Sequence, residues 1–258
     1  MKLRRRIVGL FVALAMMSGI GCVPCGYLPE EVKHEAKDAI VELADSTIIE
    51  LVGNHDSTLE ASRRATFRIT SVRPDGSMAV GTATLFEYRG EQIVVTAAHV
   101  ARNSIGLFME SRYEPGVERE LDLIYYDDVS DIAILLPLAE VKGVKEIKPV
   151  KLRPAKEKHL SVGTKTIYSG YPNNHSLLTI HGRISGYRSD GDLILDTYGW
   201  SGASGSAVFD EKGRLLGILS AMDIGTGLLG LPELIPNVIV VIPTTKIDFD
   251  VLDLLLDK

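Results

Sequence analysis

The sequence predicts an all-β protein built in two halves. Short β-rich runs follow one another from residue 65 onward, and turn residues separate them about every 8–12 positions. No long helical pattern lies between the runs, whereas a parallel sheet would need crossover helices. A charged connector over residues 141–160, which contains Pro149 and Pro154, divides the runs into two sets. This organisation indicates an all-β fold in two halves that join near residues 141–160.

Six strands are predicted in the first half. Each is a short run rich in β-branched and aromatic residues, and turns such as Pro74-Asp75-Gly76 and Arg89-Gly90 separate neighbouring runs. The predicted strands cover residues 65–72, 78–88, 92–97, 107–110, 119–126 and 132–136.

The second half repeats the pattern with six further strands. They are predicted at residues 165–168, 177–187, 193–197, 207–209, 215–221 and 238–242. Two helices are predicted outside the strands, because apolar residues recur at helical spacing over residues 27–53 and 244–256. The first would form a short helical segment before the strands, and the second would end the chain.

Composition excludes several classes of protein. The 258 residues include 45% hydrophobic and 24% charged side chains, as in ordinary globular domains. The net charge is −6 and no basic stripe is present, which argues against a nucleic-acid partner. The two cysteines, Cys22 and Cys25, lie near the N-terminus, so the predicted strands carry neither a disulfide nor a thiolate metal site. We expect no metal and no cofactor.

The first 21 residues have the layout of a secretory signal. Four basic residues, at positions 2, 4, 5 and 6, precede an apolar run over residues 7–20, and Cys22 follows. This resembles a bacterial lipoprotein signal, although Gly19 stands where that signal usually has a larger apolar residue. Three readings stay open: a lipid on Cys22, a plain cleaved signal, or an uncleaved membrane anchor. All three place the remaining chain outside the cytoplasm, in a bacterial periplasm or cell envelope or in the secreted fraction.

Three residues can carry chemistry together. His99 follows a predicted strand, Asp131 precedes another, and Ser204 lies in a glycine-rich loop. Each alone has an ordinary structural explanation. In combination they supply the hydroxyl, the base and the orienting carboxylate that acyl transfer by serine requires. Gly202 would also let its own N–H and that of Ser204 point into one pocket, where they could stabilise an oxyanion.

The surrounding motifs resemble those of trypsin-like (chymotrypsin-fold) serine proteases of the PA clan. The segments are Thr-Ala-Ala-His at 96–99, Asp-Ile-Ala-Ile-Leu at 131–135 and Gly-Ala-Ser-Gly-Ser at 202–206, with Ser206 in place of a common glycine. Residues 80–86, 170–172 and 180–186 are similar to the short-looped bacterial branch that includes HtrA-like proteases. The resemblance covers about residues 65 to 245.

The resemblance implies two packed six-stranded β-barrels with the active site in the cleft between them. It implies His99 as general base, Asp131 as its orienting carboxylate and Ser204 as nucleophile, with the N–H groups of Gly202 and Ser204 as oxyanion hole. The substrate is then a polypeptide, cleaved through an acyl-enzyme by a serine endopeptidase.

Family spacing also places the substrate pocket. Its base would involve Tyr198 and Gly199, and its walls Ser220, Ala221 and Met222. No acid stands at the base position, so we expect a small or apolar residue before the cleaved bond.

The predicted organisation is a signal over residues 1–21, a linker and helix over 22–60, barrels over 61–145 and 146–245, and a tail over 246–258. About 54 residues follow Ser204 and would complete the second barrel and the tail, so we expect no PDZ domain among them. Two alternatives to the enzyme stay open: a catalytically silent protease fold used for binding at the cell envelope, and an interaction protein acting through the helix at 27–53. The sequence fixes neither the oligomeric state nor the natural substrate.

Overall fold

Two closed six-stranded β-barrels form the core of the molecule, as the resemblance to trypsin-like proteases implies. The computed structural model describes residues 57–226 and 232–257. A short helix, α1 (Ser57–Ala65), precedes the barrels. The signal, Cys22 and the helix predicted at 27–53 lie outside the described residues. Within the described part, none of the helices is both long enough and apolar enough to cross a bilayer.

The first barrel is an antiparallel sheet closed by pairing of its first two strands. Its strands run in the spatial order β1-β4-β5-β6-β3-β2, and a short strand, β7 (Val150–Lys151), adds to β2 in parallel. The barrel strands are β1 (Thr66–Val72), β2 (Met78–Tyr88), β3 (Glu91–Thr96), β4 (Gly106–Glu110), β5 (Glu118–Asp127) and β6 (Ile132–Pro137). A four-residue helix, α2 (Ala98–Ala101), follows β3.

The second barrel closes in the order β10-β13-β12-β11-β8-β9. Its strands are β8 (Lys165–Gly170), β9 (Leu178–Tyr187), β10 (Leu193–Asp196), β11 (Ala207–Asp210), β12 (Leu215–Thr226) and β13 (Pro232–Pro243). β12 and β13 are longer than predicted, because they continue past the barrel as a paired hairpin.

The C-terminal helix begins later than predicted. A single 3₁₀ turn occupies Thr244–Lys246, and the α-helix, α3, covers Phe249–Leu256. Asp248 starts α3, because its carboxylate accepts the N–H of Val251 at 3.0 Å. Such a cap satisfies one of the backbone donors that a helix start leaves without a partner.

Residues 93–95 of β3 and 132–135 of β6 are continuous apolar runs, and both faces of these runs are buried. Val94 and Leu135 point into the first barrel with Phe67 and Met109. The alternate residues of the same strands, such as Ile134, pack in a second layer that also holds residues of the second barrel. Successive side chains of a strand point to opposite faces, so one strand serves both layers.

That second layer joins the two barrels. Phe86 of the first barrel lies 6.1 Å from Phe209 of the second, measured between ring centroids. Ile218, Ile242 and the α3 residue Leu252 complete the same buried cluster. Each of these side chains contributes about 1.5–3 kcal/mol by leaving water, so the joint between the barrels is a true core. This fixes the distance between the loops that extend from each barrel.

Candidate active site

His99 and Asp131 meet at one end of the first barrel. His99 lies in α2, and Asp131 occupies the turn before β6. The Asp131 carboxylate accepts the backbone N–H of His99 at 2.8 Å and contacts its Nδ1 at 2.8 Å. The Asp131 carbonyl also accepts the N–H of Ala98 at 3.1 Å. One residue therefore fixes both the backbone and the ring of the histidine.

Asp131 reaches this position through an unusual backbone. Its φ of 48° lies in the left-handed region, which aspartate tolerates better than most residues. Burial acts to raise the pKa of its carboxyl, but hydrogen bonds from His99 and Ser220 outweigh burial and hold the pKa below its ordinary value. The Ser220 hydroxyl donates to Asp131 Oδ2 at 2.5 Å. The carboxylate therefore stays charged beside the imidazole.

Ser204 lies in a tight loop of the second barrel. Gly202 and Gly205 on either side of it have φ values of 95° and 91°, which side chains other than glycine rarely adopt. A Cβ at Gly205 would lie 2.1 Å from the carbonyl oxygen of Thr82, so glycine is also required for close approach to the first barrel. The Ser204 hydroxyl donates to the carbonyl of Ser220 at 3.0 Å.

Some backbone N–H groups of this loop have a hydrogen-bond acceptor and others do not. Those of Ala203, Gly205 and Ser206 donate to carbonyl oxygens at 2.7–3.0 Å. Within the described part of the chain, the N–H groups of Gly202 and Ser204 have no such acceptor. Both therefore remain available to an oxygen atom placed beside Ser204.

The cavity beside Ser204 has a volume of about 350 Å³. It brings together His99 and Ser204 with four of the predicted pocket residues: Gly199, Ser220, Ala221 and Met222. The fifth, Tyr198, lies next to it, and its ring packs 5.8 Å from the ring of Trp200.

Three residues outside the predicted set also line the cavity. They are Trp200, Ser201 and Leu219. Trp200 is the chain's only tryptophan and stands two residues before Gly202 of the glycine-rich loop, and this position in the sequence could have identified it as a site residue. The Ile239 side chain packs against the lining residue Gly199, where a Cβ would lie only 2.5 Å from Ile239 Cδ1.

Comparison with known proteins agrees with this architecture. Residues 81–218, more than half of the chain, match the family described as the trypsin-like peptidase domain. The chain belongs to this family. It is a serine endopeptidase of the trypsin-like type. A search of curated proteins gives no significant match.

Solved structures of bacterial proteases share the fold at low sequence identity. The serine endoprotease from Yersinia pestis is 18% identical, with a TM-score of 0.61 over 80% of this chain and 67% of that one. The Rv3671c protease from M. tuberculosis, in its active form, is 19% identical, with a TM-score of 0.57 over 74% and 81%. The HtrA-type protease AlgW with a tripeptide is 18% identical, with a TM-score of 0.61 over 79% and 64%. At this identity the likeness concerns the fold.

Proposed function

We propose that this endopeptidase cleaves polypeptides through an acyl-enzyme formed on Ser204, with His99 as general base and Asp131 as the residue that orients it. The observation that carries the proposal is a single cleft that holds the Asp131-bound His99, the Ser204 hydroxyl and two unengaged N–H groups. These are the parts that serine acyl transfer needs.

The contact between His99 Nδ1 and Asp131 supports the role of base. With Nδ1 engaged by the carboxylate, the other ring nitrogen carries the lone pair that can accept the serine proton. The charged carboxylate then stabilises the imidazolium that forms. The Ser204 hydroxyl turns from the Ser220 carbonyl toward the imidazole as its proton is taken.

The unengaged N–H groups of Gly202 and Ser204 support an oxyanion hole. When the Ser204 oxygen attacks a peptide carbonyl, the C=O bond becomes C–O⁻ and this oxygen needs donors at about 2.7–3.1 Å. Collapse of the intermediate expels the amine, which takes the proton from His99, and water later releases the acyl group by the same steps.

The cavity next to Ser204 supports a preference for an apolar residue before the cleaved bond. Trp200, Leu219 and Met222 line it, and the buried Ile239 side chain packs against Gly199, another lining residue. No aspartate, glutamate, lysine or arginine is among the lining residues described. An arginine or glutamate side chain would therefore lose its hydration without gaining a partner.

We place the enzyme outside the cytoplasm because the first 21 residues have the layout of a secretory signal. Membrane attachment through a lipid on Cys22 is part of this proposal, with a plain signal and an uncleaved anchor as the alternatives. The intact mass of the mature protein, compared with that of Cys22→Ala, distinguishes them: a diacylglyceryl increment lost in the variant identifies the lipoprotein.

The catalytic proposal is tested by labelling the protein with a fluorophosphonate and reading the intact mass. We expect one adduct on the wild type and none on Ser204→Ala. Cleavage of a peptide library then reports the residue before the cut, and a profile dominated by arginine or glutamate would contradict the apolar pocket.

Failure to label a folded wild type would favour the silent binding module. The hydrogen bond from Ser204 to Ser220 gives this alternative a specific form, in which the hydroxyl does not turn toward His99. Circular dichroism and a cooperative urea transition establish that the protein under test is folded.

A further inference from the structure

Thr82 connects three segments that converge behind the Ser204 loop. It lies on β2 of the first barrel and is completely buried. Its hydroxyl donates to the Gly202 carbonyl at 2.7 Å and accepts the N–H of Tyr171 at 3.0 Å. Its own N–H donates to the carbonyl of Ser204 at 2.8 Å. A single side chain of the first barrel thus contacts two loops of the second.

The fit around this hydroxyl is close. A Cβ added to Gly170 would lie 3.2 Å from Thr82 Oγ1, and a Cβ added to Gly81 would lie 3.0 Å from the Ser204 carbonyl oxygen. The Thr82 carbonyl is in turn held by the Thr96 hydroxyl at 2.7 Å. The residue therefore has little freedom to move away from the loop.

Two carbonyl contacts hold the two peptide units that flank Gly202. The Ser201 carbonyl, on the same peptide plane as that N–H, accepts the N–H of Asn173 at 2.6 Å. The Gly202 carbonyl, on the next plane, is held by Thr82. Because a peptide unit is planar and trans, a fixed carbonyl fixes the direction of the N–H on the same unit. Glycine alone would leave these planes free to rotate.

We propose that Thr82 is a positioning residue for the oxyanion hole. Its hydroxyl holds the Gly202 carbonyl, on the peptide unit after Gly202, and the N–H of Tyr171, and it thereby keeps the preceding unit in place with the Gly202 N–H directed toward the reacting oxygen. The inference rests on the proposed function and deepens it. Tyr171, which donates its N–H to the Thr82 hydroxyl, belongs to the same loop as Asn173, which holds the Ser201 carbonyl. The Thr82 hydroxyl is therefore connected to both peptide units that flank Gly202. Removing the hydroxyl would free the peptide unit after Gly202 directly and loosen the unit before Gly202 through Tyr171.

The test compares Thr82→Val with Thr82→Ser. Valine keeps the branched shape and removes the hydroxyl, and serine keeps the hydroxyl and removes a methyl group. We expect kcat of Thr82→Val to fall about 10- to 100-fold, less than the ~10²–10³-fold cost of losing an oxyanion donor itself. KM of Thr82→Val should change less than about threefold, because an interaction made in the transition state mainly affects kcat. The kcat of Thr82→Ser should stay within about tenfold of the wild-type value.

The rates of peptide cleavage are expressed per active site, and the active sites are counted from the final yield of fluorophosphonate adduct. This separates a misplaced oxyanion hole from a smaller folded fraction. Thr166→Val is the matched control, because Thr166 is also a buried strand threonine and its hydroxyl has no partner among the described residues. We expect this control to react at the wild-type rate.

An equal rate per site for Thr82→Val and the wild type would overturn the inference and leave the proposed function intact. A wild type that does not label would instead contradict the proposed function. If Thr82→Val does not fold, Thr82→Cys replaces it, since a thiol is a weaker donor of similar size. Equal rates for Thr82→Cys and Thr82→Ser would then reject the role of the hydroxyl.

Discussion

Replacing Gly202 by alanine tests the proposed oxyanion hole most directly. A Cβ at this position would lie 2.5 Å from the carbonyl oxygen of Tyr171, whereas an ordinary contact begins near 3.4 Å. The Gly202 backbone or the Tyr171 loop must therefore move by about 0.9 Å. Gly191 provides a matched control, because its φ of 89° is similar and nothing lies within 4 Å of its Cβ.

The two substitutions share the cost of a left-handed alanine, about 1–2 kcal/mol. Only Gly202→Ala adds the clash, and a shift of that size takes the Gly202 N–H out of the 2.7–3.1 Å range in which a donor stabilises an oxyanion. Misplacement by about 1 Å costs about 10²-fold, and complete loss of one donor costs about 10²–10³-fold. We therefore expect Gly202→Ala to react about 10²–10³-fold more slowly than Gly191→Ala.

The assay is the pseudo-first-order rate of fluorophosphonate labelling, followed by intact mass, together with urea unfolding of both variants. Gly191→Ala should label at the wild-type rate. Equal labelling rates for the two folded variants would refute the reasoning, because the Gly202 N–H would then play no part in binding the developing charge.

Three further predictions concern stability. The Asp131 carboxyl has a lowered pKa in the folded chain, so it stabilises the fold fully above its ordinary pKa of 3.8 and loses this effect as the pH falls through the lower folded value. Urea midpoints measured between about pH 2.5 and 6 should show Asp131→Asn to be less stable than the wild type at the upper end. The gap between the two proteins should narrow below about pH 4. A gap independent of pH would contradict this. Phe209→Ala should lower the free energy of unfolding by about 3–5 kcal/mol, because the ring is buried between the barrels; a loss under about 1 kcal/mol in the same urea experiment would argue against a shared core. Thr166→Val should leave stability unchanged or raise it, since it removes a buried hydroxyl that has no partner among the described residues, and a clear loss in urea midpoint would indicate an unseen partner.

The strands were predictable because their signal is local. Alternating or continuous apolar runs between turn residues located all twelve barrel strands, and most ends agree within two residues. The larger errors fall where a tertiary contact decides the ending. The β12–β13 hairpin continues because its two strands pair with each other, and α3 starts only where Asp248 can cap it.

The continuous apolar runs of β3 and β6 could be recognised as strands, but not assigned to layers. Their sequence does not say that one face belongs to the first barrel and the other to the joint with the second. The assignment depends on contacts with Phe209, Ile218 and Ile242, which lie more than sixty residues away in the sequence.

The sequence by itself determined the fold class, the order of the strands along the chain and the three motifs that contain His99, Asp131 and Ser204. These depend on residue types and short spacings, which a single chain displays directly. The tertiary structure alone decided which atoms touch: Ser220 on Asp131, Thr82 on Gly202, and Trp200 in the wall of the cavity. Each of these contacts either joins residues far apart in the chain or depends on how a loop is folded, and closing both barrels around their cores brings the partners within reach. The chemistry therefore follows from packing that no local pattern encodes.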